Sequence, residues 1–151
     1  MLIATAARYG AMFSGCDDAT VETMREFGER LGVAFQLADD LIDIESEADE
    51  TGKTPGTDLR EGKRTLPVIH VLAGTDPADD RLRELLTGDL SDDTHLEEAL
   101  GLLRAHPAMA RARAHTDAVA RQAQDVLAGL PEGDAKEALH ALASGVVTRV
   151  G

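Results

Sequence analysis

The sequence has one cysteine, Cys16, no tryptophan, and only 3% aromatic residues. A lone cysteine excludes an internal disulfide and fits a reducing compartment. So few aromatics leave little material for base-stacking platforms. Basic residues are also scarce: 15 Lys+Arg stand against 28 Asp+Glu, a net charge of −13. Such a chain repels nucleic acid and anionic lipid rather than seeking them. No apolar run approaches the roughly 20 residues that a membrane helix needs. The stretch Met1-Leu2-Ile3-Ala4-Thr5-Ala6-Ala7-Arg8 lacks the basic head and long apolar run of a signal peptide. These absences point to an acidic cytoplasmic chain with no nucleic-acid partner and no membrane span.

Period-two alternation is missing as well, and aromatic strand formers are nearly absent. What is present is helix-forming. The 24 alanines sit among Leu, Glu, Arg and Gln, the residues with the strongest helix propensity. At 43%, the hydrophobic residues suffice for a core, and a length of 151 residues predicts one core rather than two. The expected fold class is all-α. A first helix is predicted from Met1 to about Ser14. A long second one is predicted from Asp17 or Asp18, as N-cap candidates, to about Glu45 or Glu47. Ser46 to Arg64 holds Gly52, Pro55, Gly56 and Gly62 and reads as a loop. Further helices are predicted from about Thr65 to Gly74, from Asp76-Pro77 to about Thr87, and from Ser91 or Asp92 with Leu96, Leu100 and Leu103 inward. The last two run from Pro107 to about Ala128 and from about Pro131 to Val150. The final helix is expected to turn Ala138, Leu139, Leu142, Val146 and Val147 inward.

The informative stretch runs from Gly32 to Asp43. On a helix at 100° per residue, Gln36, Asp39, Asp40 and Asp43 share one narrow stripe. Gly28 and Gly32 continue it toward the N-terminus. Met24, Phe27, Leu31, Ala34, Ala38, Leu41 and Ile42 cover the opposite side. A solvated acidic face would account for the carboxylates. However, like charges at i, i+4 destabilise a helix, and no basic residue lies between Gly32 and Gly52. A hard divalent cation is the natural counter-charge, and Mg²⁺ takes one or two carboxylates plus phosphate oxygens and water. Lys53, Arg60, Lys63 and Arg64 follow at once, two of them among the chain's three lysines. Lysines on a Gly/Pro loop beside a carboxylate stripe suit a phosphorylated ligand chelating Mg²⁺. A solvated loop pairing with its acidic neighbours is the alternative. Gly28 and Gly32 fit either room beside a cavity or close helix packing.

The pattern Phe35-Gln36-x-x-Asp39-Asp40-x-x-Asp43, followed by Gly52-Lys53-Thr54-Pro55-Gly56-Thr57-Asp58-Leu59-Arg60-Glu61-Gly62-Lys63-x-Thr65-Leu66-Pro67, resembles the trans-type polyprenyl diphosphate synthases. Tyr9-Gly10-Ala11 and the terminal Ala138-Leu139-x-x-Leu142-Ala143-x-x-Val146-Val147-x-Arg149 extend the resemblance along the chain. It implies an isoprenoid-synthase-type helical bundle. It also implies Mg²⁺-dependent condensation of an allylic diphosphate with isopentenyl diphosphate, and a homodimer for the full-length protein. By position, Asp39, Asp40 and Asp43 match the family's second aspartate-rich motif as metal ligands. Gln36, Lys53 and Lys63 match substrate-binding positions, and Asp58 would hold the loop or reach a metal-bound water. The family's first aspartate-rich motif and its Lys-Thr pair are absent. The expectation for residues 1–151 is therefore a C-terminal portion of a synthase, inactive alone. A non-catalytic helical partner or regulatory subunit of a prenyltransferase is the alternative.

Overall fold

The structure is a computed structural model, and it describes residues 2–46 and 55–148. The described residues are helical, and the longer helices match the predicted ones to within a few residues. Helix α1 spans Leu2–Phe13 and α2 spans Asp18–Glu45; the short α3 spans Thr57–Arg60 and α4 spans Leu66–Leu72. A 3₁₀ turn, Pro77–Asp79, leads into α5, Asp80–Thr87. Helix α6 spans Asp93–Ala105 and α7 spans Pro107–Val126; a second 3₁₀ turn, Leu127–Gly129, precedes α8, Asp134–Thr148. No described helix is long and apolar enough to cross a membrane.

The local chemistry explains the helix starts. Asp17 Oδ1 accepts the Thr20 amide at 2.8 Å ahead of α2. Asp92 Oδ1 accepts the amides of Thr94 and His95 at the start of α6. Each bond satisfies a donor that a helix start leaves unpaired. Pro67 and Pro77 stand in first turns, where a missing N–H costs nothing.

The chain forms two compact units. The first comprises Met1–Ala38 and His115–Gly151. Within it α1 lies very close to α2 at Gly28, where a Cβ would meet Ala4 Cα at 2.6 Å and the Ile3 carbonyl oxygen at 2.9 Å. Of the two readings of Gly28, close helix packing is the observed one. Phe27, Leu31, Ala34 and Ala38 are buried along α2, on the side that the periodicity assigns to the core, whereas Met24 and Ile42 on that side are only partly buried. Gln124 donates to Ser144 and to the His140 carbonyl, tying α7 to α8. Lys136 is buried, and its ammonium donates to the carbonyls of Ala128 and Leu130 and to Glu132. The inward face of α8 carries Ala143 and Val146, but Ala138 is exposed and Leu142 is 55% exposed, which corrects the expected register.

The second unit is Asp39–Ala114. Its buried residues include Leu41, Ile44, Leu59, Val71, Leu82, Leu96, Leu100, Leu103 and Met109. The predicted inward stripe of α6 is the observed one. Within this unit the end of α2 meets the loop that follows it.

Candidate functional site

Asp39, Asp40 and Asp43 occupy the last two turns of α2 and are half-buried, while Leu41 on the other side and Ile44, which flanks the stripe, are buried. Gln36, one turn earlier on the same helix, is exposed. Lys53 lies outside the described residues. The chain comes back to Asp43 at Gly56, whose amide donates to the Asp43 carbonyl at 2.9 Å. Gly56 has φ +74°, and a Cβ there would stand 3.0–3.2 Å from methyls of Leu96 and Leu100. Only glycine supplies both the left-handed backbone and the space. From that turn α3 projects its first amides at the Asp43 side chain. Asp58 N–H donates to Asp43 Oδ2 at 3.0 Å, and the Thr57 amide also bonds the carboxylate.

Asp58 links Asp43 to the second predicted cation. Its carbonyl accepts the Lys63 amide at 2.8 Å, and its Oδ1 accepts the Lys63 ammonium at 2.6 Å. Glu61 Oε2 is 2.8 Å from the same ammonium. Lys63 therefore stands within the aspartate neighbourhood but is held by two carboxylates, which push its pKa up. Arg60 pairs with Asp93 at the start of α6 instead. The structure thus brings together Asp43, Asp58 and Lys63, and leaves Asp39 and Asp40 beside them on the same helix end.

The electrostatics are unfavourable. Burial pushes the Asp43 carboxyl up from the ordinary value of 3.8, and the charges of Asp58 and Asp39 add to the effect; hydrogen bonds from the Asp58 and Thr57 amides oppose it. The helix C-terminus is itself the negative end of the dipole, and the last turn of α2 holds no basic residue. Two arginines from distant sequence supply the missing charge. Arg104, in the last turn of α6, donates through Nε to the Ile44 carbonyl at 2.6 Å and through a terminal nitrogen to the Ser46 carbonyl at 2.9 Å. Arg113 of α7 pairs with Glu45. Sequence reasoning missed both arginines. The one signal available was the lack of any base in the last turn of α2.

Among the described residues, no three His, Cys, Asp or Glu side chains are placed to hold a metal ion by themselves. The donor set is nonetheless of the hard-oxygen kind that Mg²⁺ prefers, and that ion needs only one or two protein carboxylates when phosphate oxygens and water complete its shell. The aspartates fit as a partial set.

Residues 1–103 match the family described as Polyprenyl synthetase. The chain belongs to the polyprenyl synthetase family. A nonaprenyl diphosphate synthase of Mycobacterium tuberculosis is 50% identical over 150 residues, which is 99% of this chain and 45% of that protein. Among solved structures, the geranylgeranyl pyrophosphate synthase of Corynebacterium glutamicum, complexed with calcium and isoprenyl diphosphate, superposes with a TM-score of 0.88. It is 41% identical, and the match covers 99% of this chain and 46% of that one. A polyprenyl synthase of Caulobacter crescentus, also complexed with calcium and isoprenyl diphosphate, is 34% identical with a TM-score of 0.88 over 99% of this chain and 46% of the other. This polyprenyl synthetase chain therefore spans about half the length of the relatives it matches, and the all-α fold is theirs.

Proposed function

We propose that this chain is the C-terminal portion of a polyprenyl diphosphate synthase, a transferase that condenses an allylic diphosphate with isopentenyl diphosphate in isoprenoid biosynthesis. The observation that carries the reading is the bonded path from Asp43 through Asp58 to Lys63 on the aspartate-bearing end of α2. It sets carboxylates suited to a cation beside an ammonium suited to phosphate. Asp39, Asp40 and Asp43 would hold Mg²⁺, with Asp39 and Asp43, at i, i+4, the better pair. The ion, when bound, supplies positive charge that stabilises a departing diphosphate.

The chain's own residues do the positioning. Lys63 is a point charge for diphosphate oxygens; to reach them it exchanges its bonds to Asp58 and Glu61. Lys53 would bind the allylic diphosphate, and Gln36 would contact the substrate or its diphosphate. Asp58 holds the loop on Asp43. The whole protein would work in the cytoplasm as a homodimer.

The relatives carry a further half, so one half of the ligand cage is expected to turn over nothing by itself. Purified chain incubated with Mg²⁺, an allylic diphosphate and labelled isopentenyl diphosphate is expected to give no elongated product. Clear elongation would show that these 151 residues hold a full active site.

A further inference from the structure

The end of α2 collects negative charge from two sources. Asp39, Asp40, Asp43 and Glu45 stand in its last two turns. The helix dipole adds about half a negative charge at the same place. The last turn has no base of its own. A helix end so loaded should fray, since its final carbonyls have no intrahelical partners. Here it does not end on water alone. The guanidinium of Arg104, 60 residues away, forks onto two of its terminal carbonyls: Nε on Ile44 at 2.6 Å and a terminal nitrogen on Ser46 at 2.9 Å. Ile44 directly follows Asp43, and the Asp43 carbonyl is the acceptor for Gly56, which starts the return of the lysine loop.

Arg104 thus fixes the turn from which Asp43 projects. Both bonds go to main-chain carbonyls rather than to side chains. Helix α6, which carries it, is anchored at its other end by the Asp93–Arg60 pair to the same loop, and presents Leu96 and Leu100 against Gly56 between the two. We propose that Arg104 is a positioning residue for the Mg²⁺–diphosphate site: its forked cap on Ile44 and Ser46 sets the orientation of Asp43 and supplies the charge that lets the aspartate cluster stay together without a bound cation. This rests on the metal-site reading above. The fixed planar fork is specific to arginine; a lysine would keep the charge but present it as a point with rotatable donors.

The test is isothermal titration of the 151-residue chain with inorganic pyrophosphate in the presence of Mg²⁺. Three variants accompany wild type: Arg104→Gln, Arg104→Lys, and Lys136→Met. The last removes a buried ammonium from the first unit and destabilises the chain away from the aspartates. Loss of an outer-shell support costs on the order of tenfold or more in affinity. Arg104→Gln is expected to bind about tenfold more weakly, Arg104→Lys to fall between it and wild type, and Lys136→Met to bind like wild type at a comparable loss in Tm. Faster amide exchange at Ser46 and Gly56 in Arg104→Gln should accompany the loss. Wild-type affinity in Arg104→Gln would overturn the inference and leave the metal-site reading standing. An equal loss in Lys136→Met would also overturn it, by reducing the effect to stability. If wild type itself does not bind, the metal-site reading fails and the positioning role falls with it.

Discussion

Asp43 is half-buried, accepts the amides of Asp58 and Thr57, and feels the charges of Asp58 and Asp39. Its pKa is raised, chiefly by burial, so its ionised form is disfavoured in the folded chain. The folded state holds that proton more tightly than the unfolded state does. The resulting cost to stability develops as pH rises from 3.8 through the raised value and is complete above it. Asp43→Asn is therefore expected to melt slightly higher than wild type at pH 7, by about 1–2 °C given the partial exposure of the group. In thermal melts the difference should shrink toward zero below pH 3.8, where Asp43 is protonated in both states. A variant that is more stable yet handles ligand worse is the pattern of a residue kept for function.

Gly28 makes the corresponding statement for an element. The Cβ of an alanine would need to stand 2.6 Å from Ala4 Cα and 2.9 Å from the Ile3 carbonyl oxygen, both backbone atoms that cannot turn aside. Gly28→Ala is expected to destabilise the chain by about 1–3 kcal/mol, read as a drop in Tm, because α1 must move off α2. Helix propensity alone would predict the opposite sign, since alanine favours a helix interior over glycine. Much of this architecture was legible in the sequence. The long α2 was readable from its caps and its 3.6-residue period, and the aspartate stripe from the spacing of Asp39, Asp40 and Asp43. Helix α3 was not, because its four residues, Thr57–Arg60, carry no period; bonds to Asp43 and packing on α6 create it. The register of α8 was misjudged at Leu142 because Leu139, Leu142, Ala143 and Val146 offer apolar residues on more than one side, and tertiary packing decides among them. Arg104 and Arg113 were out of reach because their partners lie 60 and 68 residues away.

At the scale of the whole molecule, the chain is about half as long as the relatives it matches, and α1 leaves several large apolar side chains exposed. Leu2 is 89% exposed and Phe13 87%, with Tyr9 packed edge-on against Phe13. A helix that is apolar on both faces is suited to burial on both. The net charge of −13 gathers in part at one helix end, where the proposed cation would offset it. The most direct test is pyrophosphate binding measured with and without Mg²⁺, in wild type and in an Asp39→Asn, Asp43→Asn double variant. Binding is expected only when Mg²⁺ is present, and is expected to weaken at least about tenfold in the double variant. Binding that ignores Mg²⁺, or that survives removal of both carboxylates unchanged, would contradict a cation held by the end of α2.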